Sequence, residues 1–480
     1  KIFDFVNSVI PKLQEHSQIF YSDGFRAMTI KRQPSFSGFL RLNTLNGFLE
    51  FNFNIEGVER DELVNIFNSL RQKKKHYRLK NGAFLPLESE GLINMYEVIE
   101  QLELSSYDME QEFIQLPKYR ALYIDNMLKE SGMKFFERNA SLKALISDIQ
   151  DPAETEYKIP KSINGTLRDY QKLGFKWMKT LTHYGLGGIL ADDMGLGKTL
   201  QVITLLQYDK DLYGHRPSLV VVPTSLIYNW CSEFHKFAPN MTVTAIVGNK
   251  SERQELIRQG MASDIVVTSY ALIRRDIEDY KDCNFRYCIL DEAQHIKNPL
   301  SQAAKAVKQI NSEHRLALTG TPMENNLTEL WSVVDFILPG YLLSQSKFVE
   351  KYESPILKGD TSSLLSLGRQ IRPFILRRLK QDVLKELPEK IEHVIEAELT
   401  QEQKKLYVAY LEQAKGELFS EIKEKGFEKS QIKILSVLTR LRQLCCHPSL
   451  FVKDYDGDSG KFQLLKEIVE DSLNAGHRIL

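Results

Sequence analysis

The sequence has few cysteines and no long apolar run. Its five cysteines, at positions 231, 283, 288, 445 and 446, are odd in number and include no CxxC pair. This pattern argues against both a disulfide framework and a zinc ribbon, and it fits a reducing cytosol. No stretch of about 18 apolar residues occurs, and residues 1–11 are too polar for a signal peptide. We therefore expect a cytoplasmic protein with no membrane partner.

The sequence also lacks an excess of charge of either sign. Its 63 basic and 63 acidic residues cancel, so no global positive field indicates a nucleic-acid partner, and any such contact must come from local patches. At 480 residues and 42% hydrophobic, the chain is too long for one core, and its length corresponds to roughly three domains. Composition therefore predicts a multi-domain protein and leaves the partner open.

Residues 1–150 have the pattern of an accessory α+β domain. Two Asn-Gly turns, Asn46-Gly47 and Asn81-Gly82, lie between β-rich runs and predict hairpins over 42–53 and 76–87. Helical patterns follow at about 90–105 and 118–130. Residues 151–164 combine prolines and polar residues with little apolar periodicity, which predicts a linker into a second domain.

Beyond the linker the pattern changes to alternating strands and helices. This alternation predicts a parallel sheet covered by helices on both faces. From about 325 to 385, and again from 400 to 445, the pattern is helical, with one strand expected at Ile391–Leu399 between them. The strands expected before that helical region lie at 188–191, 219–222, 265–268, 287–290 and 316–318.

One strand–turn–helix segment has the composition of a phosphate-binding loop. A strand runs into Asp192-Asp193-Met194-Gly195-Leu196-Gly197-Lys198-Thr199, and a helix follows. The two glycines let backbone N–H groups converge on phosphate oxygens, Lys198 reaches the β- and γ-phosphates, and Thr199 can hold magnesium. Asp192 stands where the GxxxxGK[ST] pattern has its first glycine, so a structural glycine turn is the alternative.

Two adjacent carboxylates follow a later strand. The strand 287–290 delivers Asp291 and Glu292 to its carboxyl end, which is where ligands of open α/β sheets bind. Asp291 would bind magnesium, directly or through water, and Glu292 would orient or deprotonate the attacking water. A solvated acidic loop is the alternative, and the buried strand and the preceding phosphate loop argue against it.

The order of these motifs resembles the motor core of helicase superfamily two. It runs from the phosphate loop through Asp291-Glu292-Ala293-Gln294-His295 to Leu318-Thr319-Gly320-Thr321-Pro322. Residues 192–199 are similar to the Asp-Glu-Met-Gly-Leu-Gly-Lys-Thr loop of SWI/SNF-type remodelling ATPases, with Asp193 in place of the glutamate. That family also carries aspartate at the position of Asp192. Two further stretches, 373–390 and 441–448, resemble segments peculiar to the family, and residues 1–150 resemble more loosely the accessory domain of its bacterial members.

The resemblance assigns roles to further residues. Gln171 would read the adenine edge by paired hydrogen bonds, and Thr319, Gly320 and Thr321 would couple the nucleotide site to the rest of the motor. The nucleotide-binding residues that it implies are Arg168, Gln171, Asp193, Met194, Gly195, Leu196, Gly197, Lys198 and Thr199, with Mg²⁺ held by Thr199 and Asp291.

Four hydroxyl residues at strand ends are candidates for nucleic-acid contacts. The resemblance places Thr224, Ser225, Thr268 and Ser269 in loops that touch the nucleic-acid backbone. The same residues could instead be helix caps, and the two roles can coexist.

Three other stretches each allow two interpretations. Arg377-Arg378 could be a solvated helix face, whereas the resemblance implies a brace between lobes. Cys445-Cys446 could suggest a metal, but neighbouring cysteines cannot easily chelate one tetrahedral ion, which favours buried packing at a helix end. The basic run over 71–80 could be a solvated strand edge or an auxiliary duplex contact.

The resemblance implies an α/β fold with a RecA-like P-loop lobe and helical insertion over 165–390, then the helical start of a truncated second lobe over 391–480. The implied activity is a DNA-stimulated ATP hydrolase that uses ATP and Mg²⁺ to move along double-stranded DNA without separating the strands. Candidate partners are the duplex and DNA-bound proteins such as a polymerase, the expected state is a monomer, and a bacterial protein would associate with the nucleoid. The chain runs from Lys1 to Leu480, so we expect a fragment that hydrolyses ATP poorly, because the second lobe supplies arginines to the γ-phosphate.

Two other classes of function stay open at this point. An unwinding helicase could have the same core and would need a wedge element that separates strands. A non-catalytic, ATP-gated binding module is the second class, and the intact Lys198, Thr199, Asp291 and Glu292 argue against it.

Overall fold

The computed structural model describes residue 5 and residues 9–20, 35–320, 326–383 and 391–479. The chain forms two compact units, 1–386 and 387–480. The predicted accessory domain and the predicted first lobe both lie in the first unit. The boundary that we place at 151–164 stays a prediction.

The first part of unit one is an α+β arrangement around a four-stranded sheet with the order β5-β2-β1-β6. β1 and β2 are antiparallel with Leu42 opposite Leu49, which confirms the first predicted hairpin, and β3 and β4 confirm the second. Buried Phe51 and Phe53 pack this sheet into the core. The elements in chain order are α1 (Ile10–Gln14), β1 (Phe36–Leu42), β2 (Phe48–Ile55), α2 (Arg60–Arg71), β3 (His76–Arg78), β4 (Phe84–Pro86), α3 (Glu90–Leu102), α4 (Ser106–Glu110), β5 (Ile114–Pro117), α5 (Ala121–Glu130), β6 (Phe136–Arg138) and α6 (Ala140–Gln150).

The stretch 151–164 lacks strands and contains only a short 3₁₀ turn at Pro152–Glu154. It is nevertheless fixed to its surroundings. The Lys176 ammonium donates to the carbonyls of Ala153 and Thr155, and the backbone N–H of Asn164 donates to the carbonyl of Phe237. The irregular backbone that the sequence predicts is present, and its polar groups are bound by the following helices.

The second part of unit one is built on a seven-stranded sheet, and every described pairing between its strands is parallel. The strand order is β13-β7-β12-β11-β8-β10-β9. The predicted α/β fold class and the five predicted strands are confirmed, whereas β9 and β13 were not predicted. The elements are α7 (Asp169–His183), β7 (Gly188–Leu190), α8 (Lys198–Tyr213), β8 (Ser218–Val222), α9 (Ile227–Phe237), β9 (Val243–Ala245), α10 (Lys250–Gly260), β10 (Ile265–Ser269), α11 (Tyr270–Asp276), β11 (Asn284–Leu290), α12 (Gln302–Gln309), β12 (Asn311–Leu318), α13 (Leu327–Ile337), α14 (Gln345–Phe348), α15 (Ser354–Leu357), α16 (Thr361–Ile371), β13 (Ile375–Leu376) and α17 (Lys380–Val383).

Inner strands of this parallel sheet are buried on both faces. Every residue of β7, β8 and β10 is buried, so helices cover both faces, as continuous apolar strands require. The helical insertion before β13 contacts the α+β part through Lys347 and Lys351, which pair with Glu103, and through Arg369, which pairs with Glu130. Each of these exposed ion pairs contributes little stability. Together they show that the insertion lies against the α+β part.

The second unit is helical, as the sequence predicts for 400–445. Its helices are α18 (Gln401–Lys425), α19 (Phe427–Cys446) and α20 (Gly460–Asn474). Gly426, with φ of 79°, reverses the chain between the first two. Gln403, near the start of α18, donates to the carbonyl of Leu444 near the end of α19, so the two helices are antiparallel.

The strand predicted at Ile391–Leu399 is wrong. Residues 391–400 form neither helix nor strand, and Val394 is 93% exposed. A strand needs a hydrogen-bonded neighbour and a buried face, and among residues 391–479 no strand is described that could pair with it. The β-branched residues that suggested a strand therefore had no partner to stabilise one.

The expected burial of the neighbouring cysteines is wrong for Cys446. α19 ends at Cys446, as expected, but this side chain is exposed and Cys445 is only half-buried. Within the described ranges, no helix has both the length and the apolar character needed to cross a membrane.

Candidate active site at the carboxyl edge of the parallel sheet

The strands of the parallel sheet bring most of the predicted site residues to one edge. The phosphate loop follows β7, Thr319 and Gly320 follow β12, and Asp291 and Glu292 follow β11. The turn with Thr224 and Ser225 follows β8, and Ser269 ends β10. Because parallel strands end at the same edge, residues distant in sequence share one crevice.

The phosphate loop has the backbone that its glycines predict. Gly195 and Gly197 have φ of 86° and 75°, a region that glycine adopts without steric cost. α8 begins at Lys198, directly after Gly197, so its first N–H groups face the loop. The Lys198 ammonium donates to the carbonyl of Asp192 at 2.8 Å, which folds this side chain over the loop. The arrangement is an anion-binding helix terminus.

Asp192, the residue at the unusual Walker position, is fully buried in an ion pair. Arg378 Nε donates to its Oδ1 at 2.8 Å, and Arg378 also donates to Gln201 Oε1 at 2.8 Å and to the Tyr170 carbonyl. The backbone joins too, because the Asp193 N–H donates to the Arg378 carbonyl at 3.0 Å. A Cβ on Gly174 would lie 1.8 Å from Gln201 Oε1, so a larger residue there would displace the side chains of this network.

Sequence reasoning missed this partnership, because Asp192 and Arg378 are 186 residues apart. Arg377 is exposed and Arg378 is half-buried, and they follow the short strand β13 rather than lying on a helix. The solvated helix face is therefore wrong for this pair. The described partners of Arg378 belong to the first unit, so a brace between lobes stays a prediction.

Gln171 braces the phosphate loop from the side. Its Nε2 donates to the Leu196 carbonyl at 3.1 Å, and its Oε1 accepts from the Arg168 backbone N–H at 2.9 Å. A Cβ at Gly197 would come within 2.5 Å of Gln171 Nε2, which is a second reason for glycine there. The adenine contacts of Gln171 and of exposed Arg168 stay predictions.

Asp291 is buried and held by neutral donors. The indole N–H of Trp230 donates to Oδ2 at 2.8 Å, and the Glu292 backbone N–H donates to Oδ1 at 2.9 Å. Tyr270 donates through its hydroxyl to the Asp291 carbonyl at 2.7 Å. Burial raises the pKa of Asp291, and the hydrogen bond from Trp230 opposes that rise. Sequence reasoning missed both aromatic partners, although each stands next to a candidate loop.

Glu292 is half-buried, and its backbone φ is 49°, a left-handed conformation that is uncommon for residues other than glycine. Gln294 bridges it to the next strand end. Its Nε2 donates to Glu292 Oε2 at 2.8 Å, and its Oε1 accepts from the Thr319 hydroxyl at 3.0 Å. Gln294 is thus a link between the carboxylate and the predicted coupling residue, while Thr321 lies outside the described residues.

The four hydroxyl residues divide into two pairs. Thr224 and Ser225 are exposed in a 3₁₀ turn at the sheet edge. Thr268 and Ser269 are fully buried, and Ser269 accepts from the Leu272 N–H as the cap of α11. The cap interpretation is confirmed for Ser269. A backbone contact stays a prediction for all four, and burial disfavours it for Thr268 and Ser269.

The oxygen donors at this edge fit magnesium held together with a nucleotide. Thr199 at the start of α8 and Asp291 offer the hard ligands that Mg²⁺ prefers, and Mg²⁺ commonly takes its other ligands from phosphates and water. Among the described residues no group of three or more His, Cys, Asp or Glu could hold a metal by itself. The site therefore fits Mg²⁺ shared with phosphate.

A parallel sheet that presents a phosphate loop and an Asp-Glu pair at its carboxyl edge defines a RecA-like nucleoside-triphosphate-binding lobe. The chain belongs to the SNF2-related family, because the model of the SNF2-related domain matches residues 170–450. The model "Bacterial SNF2 helicase associated" matches residues 1–160. The resemblance inferred from the motifs is thereby confirmed.

Individual relatives extend the same comparison. YwqA of Bacillus subtilis, a candidate ATP-dependent helicase/translocase, is 33% identical over 441 residues, which are 89% of this chain and 47% of that protein. The TATA-binding protein-associated factor MOT1 of Saccharomyces cerevisiae is 39% identical over 330 residues, 64% of this chain and 18% of MOT1. The SWI2/SNF2 ATPase core of Sulfolobus solfataricus in complex with dsDNA is 39% identical, with a TM-score of 0.46 and coverage of 67% of this chain and 68% of that one. The chain spans less than half the length of these two curated relatives.

Proposed function

We propose that this chain belongs to the motor of an ATP-dependent double-stranded DNA translocase or remodelling ATPase. Hydrolysis of Mg-ATP would drive movement along the duplex backbone without strand separation. The observation that carries the proposal is the shared sheet edge, where the phosphate loop, Asp291 with Glu292, and the exposed turn at Thr224 and Ser225 lie together. The names of the relatives support ATP dependence and a role on DNA.

The nucleotide half of the site would use groups from the glycine loop, from the start of α8 and from the strand end at Asp291 and Glu292. The glycine loop and the start of α8 would bind the phosphates, and Lys198 would turn from the Asp192 carbonyl to the β- and γ-phosphates. Thr199 and Asp291 would hold Mg²⁺, which when bound neutralises phosphate charge. Glu292 would orient or deprotonate the attacking water. Gln294, which hydrogen-bonds both Glu292 and Thr319, would couple the movements of these two residues.

The nucleic-acid half has hydroxyl groups rather than a set of base-reading side chains. Thr224 and Ser225 are exposed beside backbone N–H groups of a short turn, which suits phosphate oxygens. Phosphate contacts carry little base information, so affinity should fall with salt and vary little with sequence. Strong preference for one sequence in a competition assay would argue against tracking along the backbone.

The deciding experiment measures ATP hydrolysis by the complete protein with duplex DNA, single strands and double-stranded RNA. Stimulation by duplex DNA above the other two supports the proposal, and a Lys198→Ala protein controls for contaminating ATPases. Displacement of a third strand from a triplex, without release of single strands from a forked duplex, would show translocation without unwinding. Release of single strands would instead favour an unwinding helicase.

A non-catalytic ATP-gated binding module is the remaining alternative. It predicts nucleotide binding without turnover on any nucleic acid. The proposal further includes a monomeric state and DNA-bound proteins, such as a polymerase, as objects moved along the duplex. Light scattering and displacement of a stalled polymerase from DNA would test these two points separately.

A further inference from the structure

Two buried aromatic side chains, Trp230 and Tyr270, connect the ends of β8 and β10 to Asp291. Trp230 lies on α9, which begins at Ile227, directly after the turn that contains Thr224 and Ser225. Its side chain is 1% exposed, and its N–H donates to Asp291 Oδ2 at 2.8 Å. The exposed hydroxyl turn is therefore followed directly by the helical turn that carries the hydrogen-bond donor to the carboxylate.

Tyr270 makes the equivalent link from the neighbouring strand. It is the first residue of α11, immediately after Ser269 at the end of β10. Its hydroxyl donates to the Asp291 carbonyl at 2.7 Å, and its ring stacks on exposed His295 with centroids 4.9 Å apart. Asp291 is therefore held at its side chain by a residue of α9 and at its backbone by the first residue of α11.

These contacts are placed to transmit small movements. The indole is a donor only, it is buried, and losing its acceptor would leave an unpaired polar group in the core. Close packing resists gradual deformation, so a shift of the turn at 224–226 that continues into α9 would move Trp230 and pull on or break its hydrogen bond to Asp291. Either response changes the orientation of the carboxylate oxygen that would face the metal.

We propose that Trp230 and Tyr270 are positioning residues that make the orientation of Asp291 depend on contact between a duplex backbone and the strand-end turns. The inference rests on the proposed function. It adds the specific route by which duplex binding would raise the rate of hydrolysis. Both residues contact Asp291 and would act through it.

The test compares Trp230→Phe with Trp331→Phe in the complete protein. Phenylalanine keeps an aromatic ring and removes the N–H donor together with part of the ring volume, and the same change at Trp331 controls for the lost volume. Trp331 is a matched control, because its buried indole donates to the Leu343 carbonyl at 3.2 Å instead of to Asp291. We expect Trp230→Phe to lower the ratio of duplex-stimulated to basal kcat about tenfold, while the Kd for duplex stays within about twofold. Trp331→Phe should leave the ratio unchanged.

A second measurement does not depend on turnover. In protein labelled with ¹⁵N at tryptophan, the indole signal of Trp230, assigned by its loss in Trp230→Phe, should shift when duplex is added without nucleotide. A signal that stays in place on saturation with duplex overturns the inference. So does a Trp230→Phe protein whose stimulation ratio equals that of the parent.

Tyr270→Phe keeps the test decisive if Trp230→Phe fails to fold. It removes the hydroxyl donor and leaves the ring on His295, and we expect a threefold to tenfold smaller stimulation ratio, with an unchanged ratio counting against the route. A stimulated parent with unaffected variants overturns this inference alone. A parent that duplex does not stimulate overturns the proposed function and this inference with it.

Discussion

Asp192 and Asp291 both follow buried strands of one parallel sheet, yet the hydrogen-bond donors around them differ in charge. Asp192 is fully buried and faces the Arg378 guanidinium, with Gln201 completing its hydrogen bonds. Asp291 is 8% exposed and, within the described part of the chain, accepts hydrogen bonds from neutral donors only. Arg378 compensates the charge of the first carboxylate, whereas no cationic side chain among the described residues donates a hydrogen bond to the second. Paired groups hold the fold, and unpaired groups are available to a ligand.

The largest expected effect, on the rate of hydrolysis, comes from Glu292, next to Asp291. Glu292→Gln should spare nucleotide binding and lower kcat about 10²- to 10⁴-fold, because the amide cannot take a proton from the attacking water. Lys198→Ala should instead weaken binding, since it removes the charge that would hold the β- and γ-phosphates. Nucleotide titration and steady-state turnover separate the two effects.

A matched control for that prediction is Glu255→Gln. Glu255 lies on the surface of α10, and its described partners, Arg258 and Gln259, belong to the same helix. The Glu255→Gln protein should hydrolyse ATP at the parent rate. Near-parent hydrolysis by Glu292→Gln would show that the role given to this carboxylate is wrong.

The next effect concerns the paired side. Arg378→Gln should destabilise the first unit by about 3–5 kcal/mol, because it leaves the buried Asp192 charge without its cationic partner. The double variant Asp192→Asn with Arg378→Gln should lose less than the sum of the single variants, with a coupling of about 1–3 kcal/mol. Denaturant unfolding of the four proteins gives the coupling.

Exposed Arg377 is the natural control, and Arg377→Gln should change stability by less than about 0.5 kcal/mol. Additive losses from Asp192→Asn and Arg378→Gln would mean that the ion pair does not secure the loop. The contrast between the two aspartates would then rest on burial alone.

The two pairs of hydroxyl residues extend the comparison at a smaller scale. Ser269→Ala should cost about 1 kcal/mol of stability, because it removes the cap of α11. Thr224→Ala with Ser225→Ala should leave stability unchanged and weaken duplex binding, since these hydroxyls are exposed. Thermal unfolding and fluorescence anisotropy with labelled duplex measure the two quantities on the same proteins. The reverse assignment, with Ser269 controlling affinity, would contradict the division.

The smallest expected effect concerns the basic run at 71–80. Arg71 pairs with Glu100 and Lys80 with Asp61, whereas Lys73, Lys74 and Lys75 are exposed. If these lysines contact a duplex, neutralising them should flatten the dependence of log affinity on log salt by up to about three units. Arg71→Gln is the control and should change the slope less. An unchanged slope would leave the lysines as a solvated edge.

Much of the fold followed from local chemistry. The Asn-Gly turns predicted both hairpins, and apolar runs bounded by polar residues predicted five strands of the parallel sheet. The expected strand at Ile391–Leu399 failed because a strand depends on a neighbour, which no local pattern supplies. β13 was missed for the opposite reason: two residues, Ile375 and Leu376, are a strand only because β7 pairs with them.

The sequence by itself identified the groups that we propose to carry the chemistry. Glycines at 195 and 197 are needed for positive φ, a lysine and a threonine begin the helix after them, and two carboxylates follow a buried strand. Each of these depends on neighbours within a few residues, so spacing reveals them. Only the tertiary structure decided which buried charge is neutralised and which is held open. Arg378 reaches Asp192, and Trp230 and Tyr270 reach Asp291, across 186, 61 and 21 positions. Hydrogen bonds over such separations are set by the order of strands in the sheet, which the spacing of the motifs does not encode.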